Sequence, residues 1–205
     1  GVSRGLGDVY KRQEMKKLLI VLILFFSFTS NISAETKRII SGNVDAKITI
    51  IAYESLTCSH CADFHKDVYP QLKKDYIDTG LAKIEFRHFP LDIAAFNASK
   101  ISQCNQGHSL KILESLYSNQ QVWVKGSTIE EVNDNLKKFI EKEGFNIDFE
   151  KCINNKEIED FVLNDRIEGT KKFKVNATPT IIINNKKFEK SLNYKNLKKS
   201  LEKLI

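Results

Sequence analysis

The sequence predicts an α/β protein in which two β-containing parts flank a long helical segment. Residues 48–53 form an apolar, β-branched run and residues 83–89 alternate in polarity, so we expect a strand at each, with a helical period between them. Residues 93–173 keep a helical period almost throughout, and residues 180–183 are again β-branched. The predicted order is therefore βαβ, an all-helical insertion, and ββα.

The first helix is expected from Cys58 to about Asp78, ending at Gly80, with Pro70 kinking or interrupting it. Apolar side chains recur along it at spacings of four: Phe64, Val68, Leu72 and Tyr76. The flanking βαβ pair implies parallel strands with a right-handed crossover. The remaining segments are predicted as follows: a lead-in with a turn at 35–47, a short link at 149–153, a hairpin strand at 186–189 and an amphipathic helix at 193–205.

Two cysteines two residues apart, Cys58 and Cys61, lie where the first strand ends and the helix begins. With Thr57 as the N-cap, Cys58 falls in the first turn, where free N–H groups and the helix dipole favour a thiolate. We expect Cys58 to have a lowered pKa and Cys61, one turn later, to be buried. A protonated His60 would lower the pKa of Cys58 further and make the disulfide a stronger oxidant.

Two other interpretations of this pair stay open. One is a structural disulfide at the start of a helix, and the other is a metal site formed by Cys58, Cys61 and His65. Structural zinc usually has four ligands, whereas Cys104 and Cys152 stand alone and far apart in the sequence. Redox chemistry without a metal or cofactor is therefore the favoured interpretation.

The N-terminal residues are expected to lie outside the folded domain. Residues 1–14 precede the only methionine, Met15, and look like a non-native leader, a translated sequencing adaptor. Residues 15–34 combine a basic start, a short apolar run and small polar residues, which is typical of a cleavable signal peptide. An uncleaved anchor is the alternative, although the apolar run is short for a bilayer. The mature domain would be residues 35–205, in an oxidising compartment where disulfides persist.

The mature chain would keep all four cysteines. If Cys58 and Cys61 pair, Cys104 and Cys152 remain as a second pair; two free buried thiols are the alternative. Residues 1–34 hold five basic and two acidic residues, so the net charge of +6 falls to +3 without them. The lysines are scattered, and we expect no nucleic-acid partner.

A second motif, Ala177-Thr178-Pro179-Thr180, precedes the third strand. A proline there can simply begin a strand. In a thioredoxin-type sheet, a cis-proline at this point would lie against the CxxC pair, and the residue before it would offer its backbone to an extended substrate. The βαβ…ββα order with this pair of motifs predicts a thioredoxin-like fold with an all-helical insertion, about 93–173, between its two halves.

Three motifs in order, at residues 53–65, 86–91 and 177–180, resemble the DsbA family of periplasmic thiol–disulfide oxidoreductases, most closely the alphaproteobacterial type. The similarity runs from about residue 42 to residue 205. It implies these roles: attacking cysteine, Cys58; resolving cysteine, Cys61; dipeptide histidine, His60; cis-proline loop, Thr178 and Pro179; second, structural disulfide, Cys104 and Cys152.

The chain departs from the family pattern at three positions. Ser59 stands where the family usually has proline, and Ala177 where it usually has glycine. Many members carry a proton-relaying glutamate at the position of Ala52, whereas here Glu54 lies two residues on, which is the same strand face. Glu54 either replaces that glutamate or is a solvated residue at a strand end. His88 and His108 are expected to be surface or capping residues.

The resemblance implies that a Cys58–Cys61 disulfide is donated to reduced or unfolded exported proteins in the periplasm. It also implies reoxidation by a DsbB-like membrane quinone reductase, and we expect a monomer. A reductase or isomerase of the same fold is the first rival; isomerases usually carry an added dimerisation domain, for which residues 35–47 are too few. A copper-binding chaperone using Cys58, Cys61 and His65 is the second rival.

Overall fold

A computed structural model describes residues 36–205 of the chain. The leader expected at residues 1–14 and the signal peptide expected at 15–34 lie outside the described residues. Within the described part, no helix is long and apolar enough to cross a membrane.

A five-stranded mixed sheet forms the centre of the described domain. Its strands are β1 (Ile39–Ser41), β2 (Ile48–Glu54), β3 (Ala82–His88), β4 (Thr180–Ile183) and β5 (Lys186–Lys187). The spatial order is β1-β3-β2-β4-β5, with β2 and β3 parallel and the other neighbours antiparallel. The parallel β2–β3 pair confirms the predicted βαβ unit, and the antiparallel β4–β5 pair confirms the hairpin.

The helix between β2 and β3, here called α1, is one helical run with changing hydrogen-bond spacing. Its segments are Ser59–Asp63 (α), Phe64–Val68 (π), Tyr69–Leu72 (α) and Lys73–Ile77 (π). Pro70 lies in the first turn of the third segment, directly after a π turn, a position at which a helical segment tolerates proline. The four apolar residues predicted to face the core are all buried.

The predicted insertion is helical, as expected. It consists of α2 (Ile93–Cys104), α3 (Ser109–Ser118), α4 (Gln120–Trp123), α5 (Ile129–Lys142), α6 (Phe149–Ile153) and α7 (Lys156–Phe173). The last helix, α8 (Tyr194–Leu201), follows β5. In the structure a disulfide joins Cys104 at the end of α2 to Cys152 in α6, with the two Cα atoms 5.6 Å apart.

Five local expectations were wrong or inexact. The lead-in contains strand β1, too short to show a period, and the link at 149–153 is a helix capped by Asp148. The hairpin strand is only two residues long, and α8 ends at Leu201. His88 is buried, not at the surface, because Gln103 hydrogen-bonds its ring at 3.0 Å and α7 covers this end of β3.

One close contact joins α7 to the sheet. A Cβ atom at Gly169 would lie 2.8 Å from Cε1 and 2.9 Å from Cδ1 of Tyr53. Tyr53 is fully buried, and its hydroxyl accepts a hydrogen bond from Arg87 at 3.2 Å, so its ring has little room to move. Glycine at this helical position therefore lets α7 approach β2.

We predict that Gly169→Ala destabilises the protein although alanine favours helices. The gain in helix propensity is about 1 kcal/mol, and the overpacking against Tyr53 costs more, so we expect a net loss of about 1–2 kcal/mol in urea unfolding. Gly107→Ala is the control, because an added Cβ there meets nothing closer than 3.8 Å. Equal stability of Gly169→Ala and the unchanged protein would contradict this account of the contact.

Candidate active site

The CxxC pair begins α1 at the carboxyl end of β2. Cys58, not Thr57, occupies the N-cap position, with an extended backbone (φ −78°, ψ 119°) and no side-chain cap. Thr57 does not cap α1 because its hydroxyl donates to Asp92 Oδ2 at 2.7 Å. The N–H groups of Cys61 and Ala62 bond to the carbonyl oxygen of Cys58 at 3.1 and 3.2 Å. Cys58 therefore directly precedes the first turn of α1, where helix N–H groups lack helical partners.

Cys58 and Cys61 are both free thiols in the structure, and Cys58 is the more accessible of the two. A hydrogen bond from Cys61 is the largest cause that lowers the pKa of Cys58, to about 5. Partial burial opposes this shift, whereas the Thr178 side chain and the backbone N–H groups of Cys61 and His60 reinforce it. Cys58 is thus ionised at neutral pH.

Cys61 has the opposite electrostatic character. Its side chain is fully buried, and this burial is the main cause that raises the pKa of its thiol. The hydrogen bond to Cys58 and the negative charge of Glu54 raise it further. Cys61 therefore keeps its proton at neutral pH and donates it toward the Cys58 thiolate.

His60 contributes to this arrangement differently from the sequence-based expectation. Its imidazole is 81% exposed, and Nδ1 lies 3.7 Å from the carboxylate of Asp63. The backbone N–H of His60, not its ring, is among the groups that lower the pKa of Cys58. Ser59, the other dipeptide residue, is exposed beside it.

The loop before β4 lies against Cys58. The Thr178–Pro179 peptide bond is cis. In its thiol form, Cys58 donates from Sγ to the carbonyl oxygen of Thr178 at 3.4 Å. A groove of about 500 Å³ adjoins this contact, and its lining includes His60, Phe64, Val68, Thr178, Pro179 and Leu192. The structure therefore brings the two motifs together across 120 residues of sequence.

Glu54 and His65 form a buried pair behind the cysteines. Their side chains are 3% and 5% exposed, and Oε2 of Glu54 lies 2.8 Å from Nε2 of His65. The alternative of a solvated strand-end glutamate is therefore wrong. Within residues 36–205, no group of three potential metal ligands comes together, and His65 is paired with Glu54.

Sequence reasoning missed two residues that hold the loop carrying Cys58. Gln120 in α4 donates to the carbonyl oxygens of Leu56 and Cys58, at 2.7 and 3.0 Å. Asp92 accepts from Thr57 and also caps α2 through the N–H of Ala95. The helix-start pattern could have indicated Asp92, but no local pattern relates Gln120 to a loop more than 60 residues away.

Comparisons with known proteins give consistent results. A family model described as thioredoxin matches residues 34–203. A putative protein-disulfide oxidoreductase of Rickettsia bellii is 25% identical over 162 residues, which are 77% of this chain and 61% of that protein. The chain thus spans about three-fifths of that relative's length. Disulfide bond formation protein D of Bacillus subtilis is 26% identical over 179 residues, covering 79% of this chain and 74% of that protein.

Among solved structures, Wolbachia pipientis alpha-DsbA1 superposes with a TM-score of 0.73. It is 30% identical in sequence, and the match covers 82% of this chain and 90% of that one. Together with the CxxC pair at a helix start and the cis-proline loop against it, these matches show that the chain belongs to the DsbA family of thioredoxin-fold disulfide oxidoreductases.

Proposed function

We propose that this protein is a thiol:disulfide oxidoreductase that donates a Cys58–Cys61 disulfide to reduced exported proteins. The observation that carries the proposal is the opposite ionisation of the two thiols. The pKa of Cys58 is lowered by the hydrogen bond from Cys61 and reaches about 5, whereas burial raises the pKa of Cys61. An acidic, accessible cysteine paired with a buried one is suited to disulfide exchange.

The proposed reaction proceeds through a mixed disulfide. A substrate thiolate attacks Sγ of Cys58, the Cys58–Cys61 bond breaks, and Cys61 leaves and takes up a proton. A second substrate thiolate then attacks the substrate sulfur of the mixed disulfide and releases Cys58 as a thiolate. The substrate loses two electrons and gains a disulfide, and the enzyme becomes the dithiol.

The direction of net transfer follows from the stability of the dithiol. Hydrogen bonds that hold Cys58 as a thiolate exist only after reduction, so they favour the reduced enzyme and make its disulfide oxidising. Cys58 is also the better leaving group, because a thiol of lower pKa leaves faster. These two effects favour an oxidant over a reductase or isomerase.

Substrate binding is assigned to the cis-proline loop. The groove of about 500 Å³ beside Thr178 and Pro179 adjoins the Cys58 sulfur, where an extended peptide could pair with the loop backbone. Apolar side chains, Phe64, Val68 and Leu192, line this groove together with the acidic Asp63 and Asp67.

The cellular setting is proposed from the sequence and the family. The signal-peptide pattern at residues 15–34 supports a periplasmic location, where a disulfide donor would meet reduced clients. Because each turnover leaves a dithiol, an oxidant must restore the disulfide, and a DsbB-like membrane quinone reductase is the proposed partner. A monomer is also proposed. The copper-chaperone alternative counted His65 as a ligand, and in the structure His65 is paired with Glu54.

We predict that the Cys58–Cys61 couple has a reduction potential above about −200 mV, because the thiolate form of Cys58 is stabilised only in the dithiol. Equilibration with glutathione buffers and quantification of the two forms would measure it. A Cys104→Ala, Cys152→Ala protein is the control, since it leaves the CxxC pair as the only source of signal. A potential near thioredoxin's, about −270 mV, would favour the reductase.

We also predict a pH window in which the reduced form gains stability over the oxidised form. Hydrogen bonding from Cys61 lowers the pKa of Cys58 to about 5, whereas an unfolded cysteine titrates near about 8.5. Between these values the unfolded dithiol binds more protons at this position, so the reduced form gains stability as pH rises and loses it as pH falls through 5.

Denaturant unfolding of both redox forms at several pH values measures this difference. Subtracting the free energy of unfolding of the oxidised form from that of the reduced form removes the contributions of groups that titrate alike in both. A reduced-minus-oxidised stability that stays constant across the window would contradict the assignment of an anionic Cys58.

A further inference from the structure

One wall of the groove beside the cis-proline loop carries two rows of side chains from α1. Asp63 and Asp67 form one row and Phe64 and Val68 the other, and all four line the groove. Residues four apart lie about one turn from each other on the same side of a helix. Phe64 and Val68 are 2% and 8% exposed, whereas both aspartates are exposed. The groove therefore has an apolar floor and a rim with two carboxylates.

These two carboxylates are not neutralised by neighbouring cations. Among residues 36–205, neither forms an ion pair with a lysine or arginine, and the ion-pair partner of Asp63 is the imidazole of His60, at 3.7 Å. Acidic residues on other helices are paired more fully; Asp160 of α7, for example, lies 3.1 Å from Nζ of Lys156. The carboxylates at the groove are therefore available to a cation that comes from another molecule.

The groove also has the opposite charge from the domain that contains it. Residues 35–205 hold 27 basic and 24 acidic residues, a net charge of +3. Of the described residues that line the groove, none is a lysine or arginine. Lys66, which lies between the two aspartates in sequence, lines a different cleft, of about 590 Å³. A client therefore meets a positive molecule at long range and a negative groove at the reacting sulfur.

The reactive sulfur at the end of the groove, rather than the carboxylates, makes this a binding site. α1 begins directly after Cys58 and rises about 1.5 Å per residue, so Asp63 and Asp67 lie about 7.5 and 13.5 Å along its axis from Cys58. An extended peptide rises about 3.3 Å per residue. The second and fourth residues from the client cysteine therefore lie about 6.6 and 13 Å along it, level with the two carboxylates.

We propose that Asp63 and Asp67 select clients that carry lysine or arginine at the second or fourth residue from the reacting cysteine. Alternate side chains of an extended chain point to the same side, so both basic groups reach the row of carboxylates together. This specificity deepens the proposed disulfide donation and rests on it. It adds no covalent step, because the cation acts only while the client lies in the groove.

The test compares three short peptides, each with a single central cysteine. They carry lysine, glutamine or glutamate at the second and fourth residues on both sides of that cysteine. Excess peptide is mixed with the oxidised protein, the Cys104–Cys152 disulfide being present throughout. The rate at which the Cys58–Cys61 disulfide is reduced is followed by acid quenching, alkylation and mass spectrometry. The glutamine peptide reports the exchange reaction without a charge on the client.

A nearby cation also lowers the pKa of the client thiol, which speeds its attack on any disulfide. The lysine-to-glutamate rate ratio is therefore measured in the unchanged protein and in the double variant Asp63→Asn, Asp67→Asn. The intrinsic reactivity of the peptides is common to both proteins. We expect the ratio to be about 10-fold higher in the unchanged protein at low salt, since each exposed ion pair contributes a few-fold and like charges are repelled.

The difference between the two proteins should disappear in 1 M salt, where the Debye length falls to about 3 Å. The matched control is the double variant Asp134→Asn, Glu141→Gln. Both of these residues are exposed on α5, outside the groove, and their substitution changes the net charge by the same amount. We expect the control to keep the ratio of the unchanged protein.

An equal ratio in the unchanged protein and in the Asp63→Asn, Asp67→Asn variant would overturn the proposal. An equal fall in the ratio in the control variant would also overturn it, because that result assigns the effect to net charge. The glutamine peptide distinguishes these outcomes from a failure of the proposed function. If it does not reduce the Cys58–Cys61 disulfide of the unchanged protein, disulfide donation itself is wrong, and the client specificity with it.

Discussion

The chemistry of this protein depends on one hydrogen bond between two sulfurs in unlike surroundings. Cys61 lies in the core and keeps its proton, and it donates toward Cys58, which lies partly exposed at the first free N–H groups of a helix. The bond lowers the pKa of one thiol and raises that of the other. This hydrogen bond cannot exist while the two sulfurs are joined in a disulfide. It therefore stabilises the reduced form alone.

The rest of the fold keeps Cys61 buried and Cys58 partly exposed. The CxxC pair follows the carboxyl end of the central strand β2, and the apolar face of α1 buries Cys61. The loop before β4 brings the carbonyl of Thr178 to Cys58. The insertion contributes Gln120, whose amide holds two carbonyl oxygens of the loop preceding α1. The helical insertion thus fixes the backbone from which the reactive sulfur projects.

Periodicity in the sequence was sufficient to predict the βαβ…ββα order, the helical insertion and the placement of the CxxC pair at a strand–helix junction. It could not reveal β1, because three residues carry no readable period, or the burial of His88, which depends on how α7 packs over β3. Local rules also favoured Thr57 as a cap, whereas a side-chain bond to Asp92 across the loop occupies its hydroxyl.

The electrostatic details were the least predictable part of the site. From the sequence we expected the ring of His60 to lower the pKa of Cys58. The ring is instead exposed beside Asp63, and the backbone N–H of His60 is one of the groups that lower this pKa. The partnership of Glu54 with His65 joins a strand to a helix across 11 residues, and no spacing rule predicts it. Such pairings depend on tertiary packing, which one sequence does not encode in a local pattern.

The most direct test of this account is a pH titration of the reduced protein, followed by the ultraviolet absorbance of its thiolates. The account predicts that one thiolate, assigned to Cys58 by its loss in Cys58→Ser, forms with a pKa of about 5, set chiefly by the hydrogen bond from Cys61. Burial keeps the second thiol protonated through the neutral range. If Cys58 instead titrated near about 8.5, as an unperturbed cysteine does, the central claim would be wrong.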